Sequence, residues 1–171
     1  MPDNVRWQAI ADELKKRGLD LENLIRDTHA GTGLILSSLL ETGFEMALKS
    51  AMVHLSKHTL KKLTTGYGPL STFSAKIDIA YGMKLISREH RSDANLIRQI
   101  RNVFAHATAK LDFDSSEIVQ IGSNLSTYDK QEKDVLVAYM KAIDIISLQL
   151  RAEIKKHLTA AALANAPAKP S

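Results

Sequence analysis

The chain has 171 residues and no cysteine, with 44% hydrophobic and 25% charged residues, 8 glycines and 4 prolines. That composition fits one helix-rich globular domain and excludes a disulfide framework, a thiolate nucleophile and a thiolate metal site. The 23 basic and 19 acidic residues leave a formal charge of +4, and they are interleaved, as in Glu13-Leu14-Lys15-Lys16 and Glu153-Ile154-Lys155-Lys156, so nucleic acid is permitted but no concentrated basic face is indicated.

Asp3 or Asn4 can cap a first helix carrying Trp7, Ile10, Ala11 and Leu14, which Gly18 ends behind Lys15, Lys16 and Arg17. Residues 1–25 show no secretory signal and no run of about 18 apolar residues could span a bilayer, so the expected compartment is the cytoplasm. Asp20 caps a short segment, Leu21 to His29. From Thr32 to Val53 a long helix follows whose apolar residues cover most of its circumference, which predicts the central element of a bundle, touched on several sides. Its narrow polar strip holds Glu41, Glu45 and Lys49, spaced as an exposed i,i+4 ladder.

His54 to Leu63 reads as an amphipathic turn or two. His54 and His58 have the spacing of a metal pair, but no acidic ligand stands nearby, and a solvated basic face is the expectation. Gly66-Tyr67-Gly68-Pro69 breaks the chain as a shaped loop without a phosphate-binding glycine pattern. Ser71 is placed to cap a helix with Phe73, Ile77, Ala80 and Tyr81 inward, ending near Gly82. Asp93 is placed to cap the next, which runs to His106 with Leu96, Ile97, Ile100, Val103 and Phe104 on its apolar side. These two do not read as a DNA-binding helix-turn-helix: the second helix spends one side on the core and carries its polar cluster near the C-terminus, whereas recognition helices read with their N-terminal part.

A short helix around Ile118, Val119, Ile121 and Leu125 follows, then Asp129 and Glu132 as a capping box. The last helix carries Val135, Leu136, Tyr139, Met140, Ile143, Ile146, Leu150, Ile154 and Leu158 at three- and four-residue steps. The expected organisation is a single all-α domain over residues 1–160 and a flexible tail over 161–171, rich in alanine and proline. Phe44, Phe73, Ile100, Phe104, Ile143 and Ile146 are the expected core.

The polar residues that invite a chemical reading are Arg98, Arg101, Asn102 and His106, with Gly68 and Pro69 in the preceding loop. Arg101, Asn102 and His106 form R-N-x-x-x-H, which sets a permanent cation, an amide and a switchable imidazole on one helix end. Two readings stand. In one, imidazole and guanidinium cleave a phosphodiester without metal. In the other, the trio is a structural network: Asn102 and His106 satisfy backbone groups of the Gly66–Pro69 loop, and Arg101 pairs with an acid such as Glu45 or Asp78. The residues suggest no cofactor and no metal.

The run G-P-L-S-T-F-S-A-K-I, then A-Y-G-M-K-L-I-S and L-I-R-Q-I-R-N-V-F-A-H-A, resembles the mannitol operon repressor family of bacterial all-helical proteins. Its R-N-V-F-A-H segment also resembles the motif of the HEPN helical domains, which makes the expected bundle HEPN-like. The first resemblance implies a transcriptional regulator that acts through a protein partner, as a homodimer and without direct DNA reading. The second implies a metal-independent endoribonuclease, toxin-like, with Arg101, Asn102 and His106 at its site and RNA as substrate. The longer run makes the repressor reading the primary one and leaves the enzyme as the alternative.

Overall fold

The computed structural model describes residues 21–164, with side chains from residue 28 onward. The helix expected over residues 3–18 and the tail residues 165–171 lie outside the described residues. Among the described residues the chain forms six helices and no strand: α1 (Leu21–Ala51), α2 (Lys57–Thr64), α3 (Phe73–Gly82), α4 (Arg88–His106), α5 (Ser116–Gly122) and α6 (Val135–Ala164). The expected all-α bundle is what the described residues build.

The helix starts are set by short polar side chains, not always the expected ones. Ser56 Oγ accepts from Thr59 N at 3.2 Å to start α2, and Thr72, not Ser71, accepts from Ala75 N at 3.2 Å to start α3. Ser87 accepts from His90 N at 3.0 Å, which starts α4 a turn and a half earlier than the expected cap at Asp93. Before α6, Asp134 Oδ1 accepts from Val137 N at 2.9 Å in place of the expected Asp129–Glu132 box. Asp129 instead holds the preceding turn, accepting from Gln131 N at 2.7 Å. His54 lies in the turn ahead of α2, so it does not share a helix with His58. At the far end α6 runs on as helix to Ala164.

The segment from Leu21 and the helix from Thr32 are one helix, α1. Glycine inside a helix costs about 1 kcal/mol against alanine, and α1 runs through both Gly31 and Gly33. Packing reverses that for Gly33: a Cβ there would stand 2.8 Å from two ring carbons of Phe104, so its bareness admits α4. Phe104 in turn packs edge-on to Phe113 with centroids 5.1 Å apart, and Phe113 packs on Tyr139 at 5.1 Å. The Tyr139 hydroxyl donates to the Gly33 carbonyl at 2.8 Å.

These contacts fix the directions of the long helices. Tyr139 meets Gly33 and Leu150 meets Gly43, so α6 runs parallel to α1. Leu85, just ahead of α4, accepts from Gln149 at 3.5 Å, while Phe104 near its end lies on Gly33, so α4 runs antiparallel to both. Phe44, Phe73, Ile100, Phe104, Ile143 and Ile146 are all buried in one continuous core, as expected. Two expectations of burial fail at the edges. Tyr81 stays 37% exposed, lying under the Arg91 guanidinium at 4.9 Å, and Met140 and Leu158 of α6 are 48% and 56% exposed. The apolar coat of α1 is also incompletely covered, with Ile35, Leu39 and Met46 open to solvent.

Candidate functional site

Helix α4 turns Ala94, Ile97, Ile100 and Phe104 into the core and leaves Arg98, Arg101, Asn102 and His106 outside it. Arg101 reaches back towards α1, with its Nη2 4.0 Å from Glu41 Oε2. That carboxylate is already engaged: Lys76 Nζ of α3 donates to Glu41 Oε1 at 2.8 Å and stands 3.4 Å from Glu45 Oε2. Lys49 completes the row at 2.5 Å from Glu45 Oε1. Charges of alternating sign therefore run Arg101, Glu41, Lys76, Glu45, Lys49 across three helices.

At the centre, the Lys76 side chain is 5% exposed, while Glu41 and Glu45 are 19% and 25% exposed. An ammonium this deep is tolerable because two carboxylates meet it. The Lys49 hydrogen bond holds the Glu45 carboxyl below its ordinary range, against the opposing effect of burial and with help from Lys76. The expected i,i+4 pair Glu45–Lys49 forms, but Lys76 and Arg101 draw the carboxylates off an exposed face and make the strip a seam between helices. Arg101 finds Glu41, not the expected Glu45 or Asp78. Asp78 is taken by Arg91, whose Nε and Nη2 lie 3.0 and 2.7 Å from Oδ1.

A second polar insertion ties α4 to the chain beyond α5. Asp93 is buried, and its Oδ1 and Oδ2 accept from Ser126 N at 3.0 Å and from Ser126 Oγ at 2.6 Å. Neither Lys76 nor Asp93 was singled out from sequence as a network residue, yet both carry a signal there. Lys76 falls on the inward stripe Phe73, Ile77, Ala80, and Asp93 on the stripe Ile97, Ile100, Phe104; a charge on an apolar stripe needs a partner from another element.

The remaining expected site residues do not gather. Arg98 Nε lies 3.4 Å from Asn95 Oδ1 on its own helix. His106 is exposed at the end of α4, on a cleft it shares with Val103, Thr108, Leu111 and Glu117. Among the described residues neither Asn102 nor His106 makes a side-chain hydrogen bond to the Gly66–Pro69 loop. The loop is closed by its own backbone: Leu70 N donates to Leu63 O at 2.8 Å and Gly68 N to Thr65 O at 3.1 Å. Gly66 takes φ +63°, and a Cβ on Gly68 would strike the carbonyls of Lys62 and Leu63, so both positions require glycine for the turn itself. Gly68 and Pro69 line a separate hollow with His58, Lys61, Lys62 and Tyr67. Arg101 turns to α1, and His106, five residues on, opens to the cleft with Glu117.

Comparison with known proteins brings in the family. The model of the family described as MtlR, mannitol repressor, matches residues 39–166, a stretch that runs from the middle of α1 through α6. No curated protein sequence matches the chain. Among solved structures, the X-ray structure of the MtlR–HPr complex from Escherichia coli contains a chain with the same fold. Its TM-score is 0.52 at 19% identity, covering 80% of this chain and 97% of that chain.

Proposed function

The chain belongs to the mannitol repressor family, and from that premise we propose that it regulates transcription by contact with a protein, without reading DNA itself. The structural observation that carries the reading is the position of α4, which packs against α1, α3, α5 and α6. A recognition helix must present a free face to a groove about 12 Å wide. In α4 the first two turns already bury Asp93 and Ala94 and commit Arg91 to Asp78.

The solved relative is a complex with HPr, and HPr of the same cell is the partner proposed for this chain. The protein works as a homodimer in the cytoplasm. Support for the compartment is that no helix among the described residues is long and apolar enough to cross a membrane.

Calorimetric titration with HPr, paired with a mobility-shift assay on a mannitol-operon promoter fragment at physiological salt, tests the proposal. Saturable HPr binding is expected, with no shift by the protein alone at nanomolar concentration. A specific nanomolar shift without partner would refute the indirect mechanism, and absence of HPr binding would refute the partner.

A further inference from the structure

The groove between α1 and α6 leaves apolar side chains open among the described residues. Leu39 and Met46 of α1 are 62% and 55% exposed and Met140 of α6 is 48% exposed. Together with Gly43, Ser147 and Ile154 they enclose about 660 Å³. A contiguous apolar patch of this kind marks an interaction surface. Two charged side chains also line it, Asp144 and Arg151, both on α6 and both exposed. Neither forms an ion pair within the described residues.

We infer that this groove is the interface between two copies of the chain, stacked face to face about a two-fold axis that crosses α1 and α6 near Gly43 and Ser147. The inference rests on the homodimer of the function proposed above and gives it a surface. An isologous interface must be complementary to itself, and this groove is. With the axis across the helices, α6 meets its counterpart antiparallel, and residues equally far from Ser147 to within one position face each other. Asp144 then stands against Arg151 of the partner subunit, and Arg151 against Asp144 of the partner subunit, so two unpaired charges become two ion pairs. By the same operation Met140 faces Ile154, and Leu39 faces Met46 about Gly43. The small residues Gly43 and Ser147 fall at the axis, where the backbones come closest. An acid and a base about two helical turns apart on one stripe match a second copy of the same stripe reversed, which an unrelated partner would not require.

Light scattering on the size-exclusion peak of the full chain tests this. The parent is expected at twice the 18.9 kDa chain mass. Asp144→Arg sets like charges face to face, as does Arg151→Asp, and each should raise the dissociation constant by about tenfold or more. The double variant Asp144→Arg/Arg151→Asp restores opposite charges and should return the dimer. Both positions are exposed, and each variant is to be checked for folding by circular dichroism. A monomeric parent, single variants as dimeric as the parent, or a double variant as dissociated as the singles would each overturn the interface. HPr titration of the same proteins separates the two readings: a monomeric parent that binds HPr sinks the interface alone, and a dimer that ignores HPr sinks the partner alone.

Discussion

Lys76 shows how one side chain can set the character of a seam. Its ammonium is desolvated among α1, α3 and α4 and depends on Glu41 and Glu45. Removing one carboxylate strands a buried cation, whereas removing the lysine leaves two carboxylates that still have Arg101 and Lys49 beside them. Glu41→Ala is therefore expected to lower stability by about 2 kcal/mol and Lys76→Met by less than about 1 kcal/mol. Urea midpoints would check this, and equal losses would contradict it. Tyr139 makes a second residue-scale case. Burial pushes its phenol well above the ordinary value near 10, opposed by Ser37 and Arg101. A folded pKa raised above the unfolded one gives stability that is complete below pH 10 and lost as pH rises beyond it. Glu45 has the opposite sign: its depressed carboxyl contributes above the ordinary value of 4.5 and loses that contribution as pH falls through the folded pKa. Thermal melts should thus be flat near neutrality and fall on both flanks. Tyr139→Phe should cost about 1 kcal/mol at neutral pH, through the lost bond to Gly33, and should remove much of the alkaline fall. An alkaline limb unchanged by Tyr139→Phe would show that another group causes it.

At the scale of elements, the crossing of α1 and α4 depends on what Gly33 lacks. Alanine is ordinarily the better helix residue by about 1 kcal/mol, so an exposed site would gain from the change. At Gly33 the added methyl meets the Phe104 ring at 2.8 Å, and that ring is packed edge-on against Phe113, which itself stands 3.5 Å from the same methyl. Gly33→Ala is expected to destabilise by about 1 to 3 kcal/mol as an overpacked contact, while Gly31→Ala, with open space around its Cβ, should be neutral or stabilising. Differential melting temperatures of the two variants decide it; a Gly33→Ala protein as stable as the parent would mean that α1 and α4 do not sit this close.

For the whole molecule, the apolar periodicities were sufficient to announce an all-α bundle, because a helix must bury a stripe of period 3.6 and each stripe is written locally. Phe44, Phe73, Ile100 and Phe104 could be assigned to the core on that ground alone, and the long run through Arg101 to His106 pointed to the family that the match over residues 39–166 establishes. Cap positions were less legible: Ser71 and Thr72, or Ser87 and Asp93, offer equivalent side chains within a few residues, and the choice falls to the one whose neighbours leave it at the surface. Asp93 was unavailable as a cap because Ser126, 33 residues away, draws it inward. What tertiary structure alone decided is partnership. Nothing local tells Lys76 that two carboxylates 35 and 31 residues earlier will receive it, tells Arg101 that it will face Glu41 and not Glu45, or reveals that Leu39, Met46 and Met140 remain uncovered where α1 and α6 run side by side. Periodicity records which side of a helix avoids water; only the packing of distant helices determines which charges meet there and which apolar side chains are left for another molecule.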